Sequence, residues 1–221
     1  MRITLFAATG GVGREVLDQA QAAGHHVTAV VRNPKLMIRD VPTVTANLAS
    51  PDPTVLASAV KGADAVLSCL GARTASEAGI AWQGTKAIVQ AMQATGVRRI
   101  VVVSAAPIGT VPSPAQPNPP KHDPGDGFFM RHLLSPLTKV AFRSHYADLA
   151  RMEDLLRHSG LSWTIVRPPR LTNERRTARY RTAYGQNLRR GLTISRADVA
   201  DLMLRLIDQP DATEKIVGVA Y

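Results

Sequence analysis

The chain is predicted to fold as a single α/β domain, a doubly wound and mostly parallel sheet with helices on both faces. Three observations predict this. Apolar runs alternate with amphipathic stretches of helix length, those stretches end in glycine, and the runs are continuous rather than alternating in polarity. A glycine just past a helix end supplies the left-handed C-cap. Continuous runs such as AVLSCL and IVVVS suit strands covered on both faces, and a helix between two such strands implies a right-handed crossover into a parallel sheet.

The elements follow in order. Ile3 to Phe6 is a first strand, AATGGVG at 7–13 a tight turn, and Val12, Val16, Leu17 and Ala20 the apolar face of a first helix. Later helical patterns end at Gly24, Gly62, Gly96 and Gly160. The strands predicted after them are His26 to Val31, Ala63 to Leu70, Ile100 to Val103 and Trp163 to Val166. Two segments break the pattern. Residues 107–126, PIGTVPSPAQPNPPKHDPGD, are too proline-rich for helix or sheet; they read as a disordered insertion or as a lid at the carboxyl edge of the sheet, where open α/β sheets bind ligands. Residues 168–195 read as a second irregular, basic stretch. Ser195 with Asp198 predicts the N-cap of a late helix with Val199, Leu202, Met203, Leu206 and Ile207 on its apolar face, and the terminal IVGVAY predicts a last, edge strand.

Composition agrees with one domain spanning 1–221. At 221 residues and 45% hydrophobic, the chain can bury roughly 70% of its unfolded surface in one core. No apolar stretch approaches the roughly 20 residues of a membrane span, and MRITLFAATG enters the first strand at once, so a cytoplasmic location is expected. The one cysteine, Cys69, lies in an apolar run and reads as a core thiol; no metal site is expected. Much of the net charge of +10 lies between Arg167 and Arg196, where nine arginines face one acid, Glu174. A solvated basic loop is the usual meaning of such a run. Attraction of an anionic small molecule is a second reading, and a nucleic-acid surface with Tyr180 and Tyr184 as stacking partners is the least favoured.

The glycine turn points to a ligand. Free N–H groups at a helix start carry about half a positive charge, and Ala8, Thr9, Gly10, Gly11, Val12 and Gly13 place them with little side-chain bulk, as a dinucleotide pyrophosphate requires. Small residues also serve plain strand-to-helix turns. At the end of the second strand, VVRNPK carries Arg32 and Lys35 and no acid, which favours the 2′-phosphate of NADPH over the ribose diol of NADH. Asn47 and Leu48, past the third strand, are placed to border an adenine.

The motifs ATGGVG, VVRNPK, DAVLSCLG, VVVSA and SGLSWTIVRPPRLT, in this order over nearly the whole chain, resemble the atypical short-chain dehydrogenase/reductases of the NAD(P)H-binding, NmrA-like group. Within it the chain looks most like the biliverdin reductase B/flavin reductase branch. The resemblance implies a Rossmann fold that binds NADPH, with Cys69, Leu70, Gly71, Ser104, Ala105, Pro168 and Pro169 beside the cofactor and the nicotinamide near Ser104. It also aligns Glu153 with a residue facing the substrate pocket, although the neighbours of Glu153 equally suit a helix surface. Ser104 is the catalytic candidate, its plainer role being to satisfy local backbone. Two departures stand out. Ala7 replaces the usual first glycine of the turn, which is tolerable if its φ is negative. Tyr146 is followed four places on by Ala150 rather than lysine, so the Tyr-x-x-x-Lys acid–base pair of ordinary carbonyl reductases is absent. What is expected is hydride transfer from NADPH to a flavin-like, quinone-like or other conjugated acceptor, which needs placement more than a protein acid, with Arg170 and Arg175 drawing an anionic acceptor. The alternative is an NmrA-like sensor that holds NADP(H) without turnover.

Overall fold

The computed structural model describes residues 1–72, 74, 77–125 and 143–221. Its main sheet has eight strands: β1 (Arg2–Phe6), β2 (His26–Val31), β3 (Thr43–Thr45), β4 (Ala65–Ser68), β5 (Arg99–Val103), β6 (Ser162–Arg167), β8 (Arg181–Tyr184) and β10 (Lys215–Ala220). They lie in the order β3-β2-β1-β4-β5-β6-β10-β8, all parallel except β8. The chain runs outward from β1 to β3 and returns to β4, so the crevice between β1 and β4 is the switch point at which doubly wound folds bind ligands. Two short strands, β7 (Arg170–Thr172) and β9 (Thr193–Ser195), form a separate parallel pair.

Helices α1 (Gly11–Ala22) and α5 (Arg196–Arg205) cover one face; α2 (Pro53–Val60), α3 (Ile80–Thr95) and α4 (Arg143–Arg157) cover the other. The central strands feed both cores by their period of two. Ile3, Leu5, Ala65, Leu67 and Val101 pack under α1 and α5, whereas Phe6, Val66, Ile100 and Val102 pack under α2, α3 and α4. This double burial is the reason the strands read as unbroken apolar runs. Gly24, Gly62, Gly96 and Gly160 all take positive φ, as their place after helices requires. The predicted late helix is α5: Ser195 Oγ accepts the Asp198 amide at 2.9 Å, and all five residues of the predicted face are buried.

Two expectations need correction. The terminal run is not the edge strand: β10 lies inside the sheet, parallel to β6 and antiparallel to β8. The edge is β8, drawn from the arginine-rich stretch that read as irregular, and Arg181 fastens it by donating to the Tyr221 carbonyl at 2.5 Å. The proline-rich segment is anchored over its described part, 107–125, residue 126 lying outside the described residues. Ala106–Thr110 forms a 3-10 turn, the Ala115 amide donates to Asp154 at 3.0 Å, and Asp123 accepts from the amides of Gly125 and Asn187 at 2.9 and 2.8 Å. Among the described residues no helix is long and apolar enough to cross a membrane, and no group of three or more potential ligand side chains is placed to hold a metal ion.

Asp198 ties the basic stretch to α5. Its buried carboxylate accepts from the amides of Thr177 and Ala178 and from the hydroxyls of Thr177, Ser195 and Tyr221, at 2.6–3.1 Å. Burial alone raises its pKa, but the hydrogen bonds from Tyr221, Ala178 and Thr177 outweigh this and hold it below the usual carboxylate value of 3.8. A carboxylate depressed in this way contributes stability that is full above its unfolded pKa and is lost as pH falls through the folded one. Asp198→Ala is expected to cost about 3 kcal/mol at pH 7, lowering Tm by roughly 6–12 °C. Thermal melts at pH 7 and pH 3 test this: the gap to the wild type should narrow at the lower pH, and a variant that melts with the wild type at pH 7 would contradict it.

Candidate functional site

The site lies at the carboxyl ends of β1, β2, β4 and β5. After Phe6 the chain turns sharply at Ala7, whose φ is +60°, so the condition under which alanine would be tolerated there without strain, a negative φ, is not met. Left-handed backbone is disfavoured for alanine by roughly 1–2 kcal/mol, and here the turn imposes it. The Ala7 carbonyl accepts the Gly10 amide at 2.9 Å and points beneath α1. A side chain on Gly13 would put its Cβ 2.2 Å from that oxygen, so only glycine lets α1 sit this close to β1. Gly10 is the N-cap, with no side-chain hydrogen bond there, and Gly11 opens the helix. The first-turn amides therefore face outward without a capping side chain, which is what an anion needs.

Arg196, from the start of α5, lies across this helix end. A Cβ on Gly11 would come within 2.6 Å of its Nε, and its Nη1 donates to Asn173 Oδ1 at 2.6 Å. In sequence Arg196 was one cation in a basic run; only the packing of α5 against α1 marks it out. Its positive charge and the exposed amides converge on one place.

Beside the turn, a cavity of about 200 Å³ is lined by Thr9, Arg32, Asn47, Leu48, Leu70 and Gly71, gathering predicted residues from four loops. Ala8 and Val12 are buried in the core under α1 and do not line it. Asn47 accepts the Ala49 amide at 3.1 Å. Lys35 is exposed on the Pro34–Leu36 turn and does not line the cavity. The absence of an acid near Arg32 holds only along the sequence: Glu77, from the loop before α3, lies 3.0 Å from Arg32 Nη2 and lines the same cavity. Cys69 packs against the core under α1, and burial pushes its thiol up to about 12, so it is inert as a nucleophile.

At the end of β5, Ser104 does not serve local backbone. Its Oγ donates to Glu153 Oε1 at 2.6 Å. Glu153 does not lie on a helix surface either: it is 0% exposed, accepting also from Arg167 Nε at 2.9 Å, from Arg167 Nη2 at 2.5 Å and from Arg157 Nη2 at 2.9 Å. Two guanidinium groups satisfy a charge that could not otherwise be buried. Glu153 thus holds Ser104 from behind instead of presenting its own oxygens to a pocket. With its proton committed to Glu153, Ser104 Oγ can accept a hydrogen bond. Pro168 lies alongside, its carbonyl accepting the Ala106 amide at 2.9 Å, and Ala105 leads into the 3-10 turn; Pro169 borders a small gap with Ala106 and Arg167. Arg170 and Arg175 are exposed beyond these prolines. Of the other arginines in the basic run, Arg176 pairs with Asp201, and Arg167 and Arg181 are engaged as above.

A larger open groove of about 630 Å³ lies at the opposite edge of the sheet, lined by Arg2, Asp64, Arg98, Arg99 and Asp208. Its cations are committed: Arg99 donates to the carbonyls of Leu206, Ile207 and Ser162, Arg98 to Gly160, and Arg2 pairs with Asp64. It is the amino-terminal edge, where parallel sheets do not place their ligands.

The parallel sheet, switch-point crevice, glycine turn and cavity define a Rossmann-type nucleotide-binding protein. The chain belongs to the NAD(P)H-binding family, which matches residues 7–210. An uncharacterized sugar epimerase, YhfK of Bacillus subtilis, is 26% identical over 224 residues, covering 97% of this chain and 92% of that one. Among solved structures, a short-chain dehydrogenase/reductase of Veillonella parvula in complex with NADP superposes with a TM-score of 0.75 at 19% identity, covering 100% of this chain and 94% of that one. ChuY, an anaerobillin reductase of Escherichia coli O157:H7, superposes with a TM-score of 0.76 at 22% identity, covering 100% and 97%.

The strain at Ala7 is measurable. Glycine tolerates positive φ but also gains freedom when unfolded, so Ala7→Gly is expected to stabilise the protein by a net 0.5–1 kcal/mol or so, raising Tm by about 1–4 °C. Ala7→Val, β-branched in the same conformation, is expected to lower Tm. Melting the two variants beside the wild type checks both signs; a loss of stability in Ala7→Gly would contradict the account of the turn.

Proposed function

We propose that the protein is an NADPH-dependent reductase of planar conjugated acceptors, of flavin or quinone type. The observation that carries this reading is Ser104, fixed by the buried Glu153–Arg167 pair at the end of β5 in a chain that lacks the Tyr-x-x-x-Lys pair. Ketone reduction needs an acid to protonate an alkoxide, whereas a conjugated acceptor delocalises the incoming charge and takes its balancing proton from water.

In this reading the first-turn amides at Gly11 and Val12 and the guanidinium of Arg196 hold the diphosphate. Arg32, with Lys35 nearby, meets the 2′-phosphate. Asn47, Leu48, Leu70 and Gly71 border the adenosine, while Ser104, Ala105, Pro168 and Pro169 border the nicotinamide. Bound there, the reduced nicotinamide supplies the hydride. The chain contributes orientation: Ser104 Oγ accepts a hydrogen bond from a carboxamide or acceptor N–H and so fixes the face presented. Arg170 and Arg175, exposed past the prolines, attract an acceptor that carries phosphate or carboxylate. The NADP-bound and bilin-reducing proteins of the same fold support the cofactor and the acceptor class.

Anaerobic assays of NADPH oxidation with FMN, with an uncharged quinone and with simple ketones test the reading. Flavin and quinone should be reduced and ketones spared. Ser104→Ala is expected to lower kcat, and Arg170→Ala to raise the apparent KM for FMN but not for the quinone. Arg32→Ala should weaken NADPH binding by roughly ten- to a hundredfold and NADH binding far less. Activity on ketones alone would overturn the mechanism, and binding of NADP(H) without oxidation by any acceptor would establish the sensor instead.

A further inference from the structure

In the folded chain the Arg32 guanidinium shares its end of the cavity with an acid. Glu77 Oε1 lies 3.0 Å from Arg32 Nη2, and both residues line the 200 Å³ cavity with Thr9, Asn33 and Asn47. The two are unequal: the Arg32 side chain is 66% exposed, free to swing, whereas that of Glu77 is 21% exposed. Glu77 is also held at its backbone, the amide donating to the Thr74 carbonyl at 3.1 Å. The carboxylate is thus the fixed partner and the guanidinium the movable one.

A carboxylate at this place acts oppositely on the two nicotinamide dinucleotides. It accepts hydrogen bonds from the free hydroxyls of a ribose, and it repels a ribose phosphate while competing with it for Arg32. We infer that Glu77 sets the cofactor selectivity of this protein: it restrains the NADPH preference that Arg32 confers and supplies the hydroxyl acceptor for NADH, so that both cofactors bind with a modest preference for NADPH. The inference rests on the reading above, in which this cavity takes the adenosine end of the cofactor.

The test is to titrate wild type, Glu77→Gln and Glu77→Ala with NADPH and with NADH, following nicotinamide fluorescence, with thermal melts to confirm folding. Glu77→Gln keeps the size and removes the charge. It is expected to tighten NADPH binding by about one-and-a-half- to fivefold, the range that a solvent-exposed ion pair controls, while leaving NADH binding unchanged or weaker. Glu77→Ala should move NADPH in the same direction and weaken NADH. In an Arg32→Ala background the gain from Glu77→Gln should shrink, because the part that comes from releasing Arg32 is gone. A ratio of NADH to NADPH dissociation constants that stays constant or falls in both Glu77 variants would overturn the inference while leaving the reductase reading intact. Failure of the wild type to bind either cofactor would overturn that reading, and this inference with it.

Discussion

The site depends on one close approach, the Ala7 carbonyl lying where the side chain of residue 13 would be. Because Gly13 has none, α1 descends onto the end of β1 and its first amides open into the crevice between β1 and β4. The geometry is bought with backbone strain at Ala7, which the parallel strands on either side of β1 hold in place. A larger residue at 13 would lift the helix, and both the amides and the bed on which Arg196 lies would be lost.

A second constraint fixes the far end of the crevice. Glu153 on α4 has no exposure and three donor groups around it, from Ser104, Arg167 and Arg157. Removing one partner of a buried ion pair leaves a charge that nothing compensates, typically a loss of about 3–5 kcal/mol, so the network resists rearrangement. It spans β5, β6 and α4 and aims Ser104. The glycine turn and Ser104 are thereby rigid for different reasons, one steric and one electrostatic, and the Arg32–Glu77 pair, beyond the turn at the end of β2, is the adjustable part.

Much of this is legible in the sequence because it is local. Continuous apolar runs give the strands, the glycines give the helix ends, and Ser195 with Asp198 gives the start of α5. What escapes is set by partners distant in the chain. RTAY at 181–184 sits among arginines with no apolar pattern and becomes a strand only because β10 offers it a ladder. Glu77 reaches Arg32 across the sheet, Arg196 reaches Gly11 through helix packing, and Glu153 is buried because Arg167 follows it there. Ala7 misleads for another reason: a left-handed alanine has no sequence signature, and the turn compels it.

The central claim is that the open helix end, and no other part of the molecule, receives the cofactor. A crystal structure of the protein with NADPH tests it most directly. The account predicts the diphosphate against the amides of Gly11 and Val12 with Arg196 closing over it, the 2′-phosphate beside Arg32, and the nicotinamide at Ser104. A dinucleotide seated elsewhere, for example in the groove of Arg2, Arg98 and Arg99 at the opposite edge, or one lying at the crevice with its diphosphate away from the glycine turn, would contradict it.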